Sequence, residues 1–154
     1  KEKIFTKAKL FNTYVNDEGK TIIPNRAYGH IISNNQLIVK DQYWCSATIG
    51  DGGLYSNIID LNRWIDYLLN DVFDKLKSTM FLPNVFDEKT QSYYGLGIRI
   101  INVNGCDIYY HCGDTIGTNT FILFSKDLNL RCIFLTNMGN IDTENLKENI
   151  IHLI

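Results

Sequence analysis

The chain has 154 residues, of which 45% are hydrophobic and 12% aromatic, and its formal net charge is −2. This composition predicts a single folded domain over 1–154 with a buried core, and it excludes an intrinsically disordered chain. The 15 basic and 17 acidic residues are spread along the sequence. No basic cluster suited to a nucleic-acid partner is present, and no apolar run approaches the roughly 18 residues of a transmembrane segment.

The first fifty residues are predicted to be largely irregular. Gly19 and Pro24 mark turns, and a short apolar segment, QLIVK, follows at 36–40. The opening residues KEKIFTKAKL are not predicted to be a signal peptide, because no apolar segment of about 7–15 residues follows their charges. We expect these residues to lie in the interior of a longer protein sequence.

Two helices are predicted after a tight turn at 51–53. Ser56 or Asn57 is a suitable N-cap for the first of them. Apolar residues then recur at intervals of three and four over 57–69, which is typical of one face of an amphipathic helix. A second helix is predicted over roughly 71–80, and Pro83 ends that region.

After residue 90 the pattern changes to short runs rich in Ile, Phe, Tyr and Thr. They are separated by NG at 104–105, GDTIG at 113–117 and KDLN at 126–129. Short turns between neighbouring strands favour an antiparallel β-meander of about four strands. The four runs read YYGLGIRIINV, CDIYYHC, TNTFILFSK and RCIFLTNM.

A terminal helix completes the predicted architecture. Asp142 or Thr143 is its N-cap, and its apolar face is formed by Leu146, Ile150, Leu153 and Ile154. The sequence therefore predicts an α+β fold in which helices pack on an antiparallel meander.

The four cysteines are Cys45, Cys106, Cys112 and Cys132, and no two of them form a C-x-x-C pair. A structural zinc site is therefore not expected. Cys106 and Cys112 fall on one predicted strand, where six residues separate them by about 20 Å, so they cannot form a disulfide with each other. The cysteines are predicted to be buried free thiols.

The stretch YYHCGDTIGTNTF at 109–121 concentrates chemically capable side chains. His111 is predicted at the end of a strand, with Gly113 where the chain turns. One interpretation is a half-buried histidine beside a hairpin turn. A Cys112 nucleophile with His111 as its base is disfavoured, because neighbours in a strand point to opposite faces. A metal site from His30, His111 and His152 is also disfavoured, since no pair has helical ligand spacing.

Four segments in order resemble the serine β-lactamase and penicillin-binding-protein-like hydrolases, in particular the family related to class C β-lactamases. GGLYSNIIDLNRWIDYLL is similar to the family's Gly-Gly-Leu helix start, and YYGLGIRI to its Tyr-Gly-Leu-Gly strand. YYHCGDTIG is similar to its His-x-Gly motif, and CIFLTNMGN to its closing strand. The stretch from LFNTYVNDEG to IIPNRAYGH resembles the segment before the helix. The likeness covers most of the chain from about residue 10.

The resemblance implies roles for the residues of the His-x-Gly motif. His111 would face the substrate as an electrostatic or hydrogen-bonding group, and Gly113 would give clearance. The backbone N–H of Asp114 would be one of two oxyanion-hole donors, and Thr115 would contact the substrate. Asp60 and the glycines at 52–53 are expected to support the fold. No metal or other cofactor is expected.

The resemblance does not extend to the family's nucleophile, which is the serine of Ser-x-x-Lys. None of the serines at 33, 46, 56, 78, 92 and 125 has Lys three residues later. Thr6 and Lys9 fit Thr-x-x-Lys, but no apolar helical pattern surrounds them. YSN at 55–57 matches the family's Tyr-x-Asn, yet it lies inside the helix start, so Tyr55 is predicted to be a packing residue.

The chain is therefore expected to be the C-terminal portion of a β-lactamase-like domain that lacks the nucleophile segment and is inactive alone. The parent would act on a β-lactam, a peptidoglycan-like D-amino-acid peptide or an ester. The alternatives are a non-catalytic ligand-binding or sensor domain of the same fold, and an unrelated α+β interaction module. Self-association of the isolated chain is expected. Compartment stays open, because family members are mostly exported whereas unpaired cysteines favour a reducing environment.

Overall fold

The structure is a computed structural model that describes residues 3–17, 20–41, 50, 52–76 and 78–154. Helices and strands alternate with short turns through these residues, and the fold is α+β, as predicted. The first half contains strands β1 to β4, helix α1, a π-helical segment and helix α2, and the second half contains strands β5 to β10 and helix α3. In chain order the bounds are β1 Tyr14–Val15, β2 His30–Ser33, β3 Gln36–Val39, β4 Leu54–Tyr55, α1 Ile58–Asp66, the π-helical segment Tyr67–Val72, α2 Phe73–Leu76, β5 Val85–Asp87, β6 Ser92–Tyr94, β7 Arg99–Val103, β8 Cys106–Thr115, β9 Thr118–Ser125, β10 Leu130–Thr136 and α3 Thr143–Ile151.

The main sheet is an antiparallel meander in the order β10-β9-β8-β7-β6-β5. It has six strands among the described residues rather than the four predicted. The predicted run over 93–103 divides into β6 and β7, because the chain turns at 95–98, where the Gly95 N–H donates to the Ile98 carbonyl over 2.8 Å. The short strand β5 was not predicted, since three residues are too few to show a period.

The sheet is covered on both faces, which explains why its central strands have consecutive apolar residues. One face packs against α1 and the π-helical segment, with Ile65 and Leu68 contacting the cluster that contains Tyr109 and Phe124. On the other face, α3 packs against a second cluster of buried residues, Ile108, Tyr110, Phe121 and Leu123. Because successive side chains in a strand point to opposite faces, β8 contributes Tyr109 to one cluster and Tyr110 to the other.

Helix α1 begins as predicted and then changes its hydrogen-bonding pattern. Asn57 is its N-cap, and the Asn57 Oδ1 atom accepts from the Asp60 N–H over 2.9 Å. The predicted helix over 57–69 is therefore α1 continued by the π-helical segment. Of the second predicted helix, over 71–80, only α2 is an α-helix, and residues 78–81 form turns.

The terminal helix α3 is capped by Asp142, whose carboxylate accepts from the Asn145 N–H over 3.0 Å. Of the predicted apolar face, Leu146, Ile150 and Ile154 pack against the second cluster, whereas Leu153 is exposed. The helix lies on the sheet, as predicted.

The prediction that the first fifty residues are irregular was wrong for 30–39. Strands β2 and β3 form an antiparallel hairpin whose tip is Asn34 and Asn35, both with positive φ, at 50° and 60°. Two such residues are typical of a type I′ turn, which matches the twist of the flanking strands. β1 and β4 form a further two-stranded pair.

Three glycines attach this hairpin, residues 30–39, to the main sheet. Gly29, Gly117 and Gly139 approach so closely that a Cβ on Gly117 would lie 1.8 Å from the Lys40 carbonyl oxygen and 2.8 Å from the Gly29 backbone. The His30 N–H donates to the Gly117 carbonyl over 3.1 Å. The hairpin therefore holds the turn between β8 and β9 in place.

The three cysteines in the described part of the chain are free thiols, as predicted, but they are only half-buried rather than buried. Cys106 and Cys112 lie on β8, and Cys132 lies on β10. Cys45 falls outside the described residues, as does Asp51 of the predicted turn at 51–53.

Candidate functional site

The His-x-Gly motif lies in the second half of strand β8, where the strand loses one of its two neighbours. Residues 106–110 pair with β7, and the last pair is Arg99 with Tyr110. From His111 to Thr115, β8 pairs with β9 alone among the described strands. The first half of β8 thus has a neighbouring strand on each side, whereas the half that carries the motif has β9 on one side and no described strand on the other.

The predicted end of this strand was too early. β8 continues to Thr115, so Gly113 lies within a strand and not in a turn. The register places Gly113 opposite Thr120, and a Cβ on Gly113 would lie 2.6 Å from the Thr120 Oγ1 atom. A side chain at 113 would therefore displace that of Thr120. Glycine leaves room here for the Thr120 hydroxyl to lie close to the β8 backbone.

His111 is exposed and its imidazole is held by a tyrosine from another strand. The hydroxyl of Tyr94, at the end of β6, lies 3.2 Å from the His111 Nε2 atom. The two rings are tilted by 57° with centroids 6.4 Å apart, so the hydrogen bond and not stacking defines the contact. An exposed side chain thereby has a defined orientation.

Tyr94 is in turn covered by Arg99, whose guanidinium carbon lies 5.1 Å from the centre of the phenol ring. The Arg99 Nη1 atom donates to the Asp87 carboxylate over 2.8 Å. It also donates to the hydroxyls of Thr90 over 2.7 Å and Ser92 over 3.2 Å. The hydrogen bond from Arg99 holds the pKa of Asp87 below its usual value, with further help from Thr90. Both groups of this ion pair are therefore charged at neutral pH.

Cys112 points away from His111. His111 is opposite Ile122, on the side of the sheet that packs against α1, whereas Cys112 packs against the cluster beneath α3. Burial raises the pKa of the Cys112 thiol, so the reactive thiolate is disfavoured. The structure therefore supports no Cys-His nucleophile pair here.

The residues after Gly113 close the strand. The Asp114 carboxylate accepts from the Asn119 side-chain amide over 3.1 Å, and Thr115 pairs with Thr118 across the turn. The Asp114 side chain is thus committed to the neighbouring strand. Its carboxylate therefore has a structural partner within the β8–β9 hairpin.

The YSN segment has structural roles throughout. Tyr55 lies in β4, with the Arg26 guanidinium carbon 4.7 Å from its ring centre. Burial raises the pKa of Tyr55, which is the opposite of what a phenolate base needs. Asn57 caps α1, so its side-chain oxygen is occupied.

The hydroxyls that could act as nucleophiles are also occupied at several positions. Ser56 bonds Thr13 over 2.9 Å, Ser92 accepts from Arg99, and Ser125 donates to the Asp107 carbonyl over 2.8 Å. Thr6 and Lys9 lie in a turn in which Lys9 has a φ of 56°, so they do not form one turn of a regular α-helix. Ser46 falls outside the described residues.

Neither a metal centre nor a membrane-crossing helix is found in the part of the chain that the structure describes. No three His, Cys, Asp or Glu side chains there are grouped closely enough to hold an ion. Nor is any helix there long and apolar enough to cross a bilayer.

Three residues of the site were not singled out from the sequence: Tyr94, Arg99 and Asp87. They contact His111 directly or through one another, but they come from β5, β6 and β7. The Tyr-Gly-Leu-Gly segment was recognised as a strand, and the signal that could have identified Tyr94 is its position immediately before the turn at 95–98. The partner of a residue beside a hairpin turn follows from the register of that hairpin.

Comparison with known proteins gives one family and several structures of similar fold. A family model described as Beta-lactamase matches residues 1–152. A penicillin-binding protein from Bacillus halodurans superposes with a TM-score of 0.77 at 18% identity, covering 99% of this chain and 48% of its own.

Two further structures have similar statistics. An octameric penicillin-binding protein homologue from Pyrococcus abyssi has a TM-score of 0.76 at 19% identity, covering 99% of this chain and 36% of its own. A D-stereospecific amidohydrolase from Streptomyces sp. has a TM-score of 0.75 at 16% identity, covering 96% and 45%. No curated protein matches the sequence. The chain spans less than half the length of each of these three structures.

Proposed function

Because this chain belongs to the β-lactamase family, we propose that it is the C-terminal portion of a serine hydrolase and supplies the His-x-Gly wall of that enzyme's pocket. The observation that carries the proposal is the half-open strand β8. It presents an exposed His111, two residues before a glycine, along an edge that no other described strand occupies. The nucleophile would come from the part of the fold that this chain does not contain.

In this proposal the wall stabilises charge and does not attack the substrate. A serine hydroxyl supplied elsewhere adds to a carbonyl carbon, and negative charge develops on the carbonyl oxygen. The Asp114 N–H would donate to that oxygen, and His111 would contribute a hydrogen bond from an anchored strand. Gly113 leaves clearance, and Thr115 would contact the substrate.

The substrate class proposed is an acyl compound with a carbonyl open to attack: a β-lactam, a D-amino-acid peptide or an ester. The solved structures of similar fold include penicillin-binding proteins and enzymes named for D-stereospecific amide hydrolysis. A β-lactam, a peptidoglycan-like D-amino-acid peptide and a simple ester all place a carbonyl beside an oxyanion hole. The specificity among them depends on pocket segments beyond this chain.

We also propose that the isolated chain associates with itself. Strand β10 is at the end of the main sheet, and a neighbour of similar fold is described as octameric. Pairing of two β10 edges around a two-fold axis would satisfy the backbone groups of both.

The experiment that tests the hydrolase proposal compares the 154-residue chain with the protein encoded by its complete reading frame. We expect the 154-residue chain to give no turnover of a chromogenic cephalosporin or a p-nitrophenyl ester. In the complete protein, if it has an upstream Ser-x-x-Lys, His111→Ala should lower kcat/KM by about 10²–10³-fold, the usual cost of removing one oxyanion-type hydrogen bond.

His152→Ala is the matched control, since His152 is the C-cap of α3 on the opposite side of the sheet. Its kinetics should equal those of the unmodified protein. Stoichiometric acylation of any residue within the 154-residue chain would contradict the proposal. A complete protein without Ser-x-x-Lys that binds the same compounds without turnover would support the sensor alternative instead.

A further inference from the structure

We propose that Tyr94 is a positioning residue for His111, and that its hydroxyl fixes which ring nitrogen of the imidazole carries the proton. This inference rests on the proposed function for its catalytic meaning, but its structural content is independent of it. It concerns a pair of side chains brought together by strands β6 and β8.

Tyr94 can reach His111 because the pairing of β7 with β8 ends one residue before His111, at Tyr110. Arg99 is the first residue of β7 and is paired with Tyr94 on one side and Tyr110 on the other. His111 is the next residue of β8, just beyond the end of β7. The Tyr94 side chain reaches across this end, and its hydroxyl lies 3.2 Å from the His111 Nε2 atom.

A phenol hydroxyl can donate to an imidazole nitrogen or accept from it, so the direction of this hydrogen bond decides the tautomer of the neutral ring. One ring nitrogen is a donor and the other an acceptor, and the hydrogen bond made by one determines the state of the other. When the Tyr94 O–H donates to Nε2, the proton must reside on Nδ1. His111 then offers an Nδ1–H donor, which is the form suited to a carbonyl oxygen that gains negative charge.

Arg99 makes Tyr94 fit for this role in two ways. Its guanidinium covers the phenol ring, which restricts the ring's rotation and draws electron density from it. Arg99 itself is fixed by Asp87, Thr90 and Ser92. Because arginine stays protonated in proteins, the positive charge over the ring persists at every working pH. A polarised phenol is the stronger donor to Nε2.

Tyr93 provides a matched control within the same strand. It is the preceding residue of β6, and it is exposed whereas Tyr94 is half-buried. The centre of its ring lies 5.1 Å from that of Phe86, so its aromatic partner is Phe86 and not His111. Tyr93→Phe and Tyr94→Phe therefore remove the same atom from adjacent positions. Only the second removes the hydrogen bond to the imidazole.

The first test measures the imidazole nitrogens of the 154-residue chain labelled with ¹⁵N-histidine, at a pH about two units above the usual histidine pKa. His111→Asn identifies the His111 signals among those of His30 and His152. We expect the His111 Nε2 signal at the position of an unprotonated nitrogen and Nδ1 at that of a protonated one. Tyr94→Phe should shift both toward the average of the two tautomers, while Tyr93→Phe leaves them unchanged.

The second test uses the complete hydrolase and separates the two proposals. Tyr94→Phe should lower kcat by about tenfold with little change in KM, because the free energy of one hydrogen bond corresponds to about that factor in rate. Tyr93→Phe should change neither constant. Identical histidine spectra for the chain and Tyr94→Phe would overturn the positioning role and leave the hydrolase proposal standing. The expected spectra combined with a complete protein that lacks turnover would overturn the hydrolase proposal alone.

Discussion

At the scale of single residues, Asp60 joins the N-terminal segment to helix α1. Its carboxylate is fully buried and accepts from the Asn12 N–H over 2.6 Å and from the Thr13 hydroxyl over 2.9 Å. The Arg63 guanidinium, one turn further along α1, donates over 3.0 Å. A buried carboxylate with this many donors is stabilising only while every donor is present. The prediction that Asp60 supports the fold agrees with these contacts.

We predict that Asp60→Ala lowers the free energy of unfolding by at least about 2 kcal/mol, because it removes the buried carboxylate that accepts from the Asn12 N–H, the Thr13 hydroxyl and the Arg63 guanidinium. Asp66→Ala is the control. Asp66 is on the same helix and forms an ion pair with Arg131, but its side chain is 44% exposed whereas that of Asp60 is buried, so the cost should stay below about 1 kcal/mol. Urea unfolding of both variants measures the difference. Equal losses would show that the buried contacts contribute nothing beyond a surface ion pair.

The sequence was informative about His111 and uninformative about the residues around it. His111 and Gly113 are two positions apart, so a motif read along the chain identifies both. Tyr94 meets His111 across β7, and that meeting depends on the length of the turn at 95–98 and on the pairing of Arg99. A shift of one residue in either hairpin would move Tyr94 to another neighbour. Contacts of this kind are set by tertiary structure.

At the scale of elements, the contact of Gly117 with the β2–β3 hairpin predicts a graded response to substitution. Gly117 has a φ of 78°, and a Cβ there would lie 1.8 Å from a backbone oxygen. Gly105 has a φ of 87°, but nothing lies within 4 Å of its Cβ position. An alanine at either position would have a similarly strained backbone, but only at Gly117 would its Cβ clash with neighbouring atoms.

Both glycines should therefore resist alanine, but to different extents. We expect Gly105→Ala to lower the free energy of unfolding by about 1–2 kcal/mol through its left-handed backbone alone. Gly117→Ala should cost about 1–3 kcal/mol more, because the backbone at Lys40 must move. Thermal unfolding compares the two, and amide exchange at His30 reports whether the hairpin detaches. Indistinguishable melting temperatures would contradict the role given to the contact.

The elements themselves were predicted with uneven success for physical reasons. The strands β8, β9 and β10 are apolar runs separated by recognisable turns, and the helices α1 and α3 are long enough to show a helical period, so each was predicted. The β2–β3 hairpin was missed because its apolar residues do not alternate with polar ones. Most of its large apolar side chains are exposed: Ile32, Leu37, Ile38 and Val39. The sequence of the hairpin therefore lacks the alternation of apolar and polar residues that a half-buried strand shows.

At the scale of the whole molecule, strand β10 determines how the sheet ends. It pairs with β9 along all seven of its residues, and within the described residues no strand pairs with its other side. Residues 4–11 do not pair with this edge. They form turns, and the Lys9 carbonyl accepts a hydrogen bond from Arg63 of α1.

Self-association through this edge predicts a specific disruptive substitution. Leu135 is 36% exposed, so Leu135→Lys costs little folding energy, but it places a charge on the edge strand, which disfavours pairing with a second strand. We expect light scattering coupled to size exclusion to show a concentration-dependent oligomer for the unmodified chain and a monomer for the variant. Ile141→Lys, at 39% exposure outside the strand, should leave the assembly intact. An unmodified chain that stays monomeric with protected amides at 132–136 would rule this out.

The three-glycine contact also has a consequence for anyone who redesigns this protein. The hairpin is attached at its base, where Gly29 meets Gly117 and Gly139, and its exposed tip at Asn34 and Asn35 is at the opposite end of the two strands. A peptide tag or a fluorophore attached at the tip would be carried by a hairpin whose base contacts the turn after strand β8. Such a label would report movement of that turn while leaving His111 and its neighbours untouched. The same insertion at the base would have no room for even one methyl group.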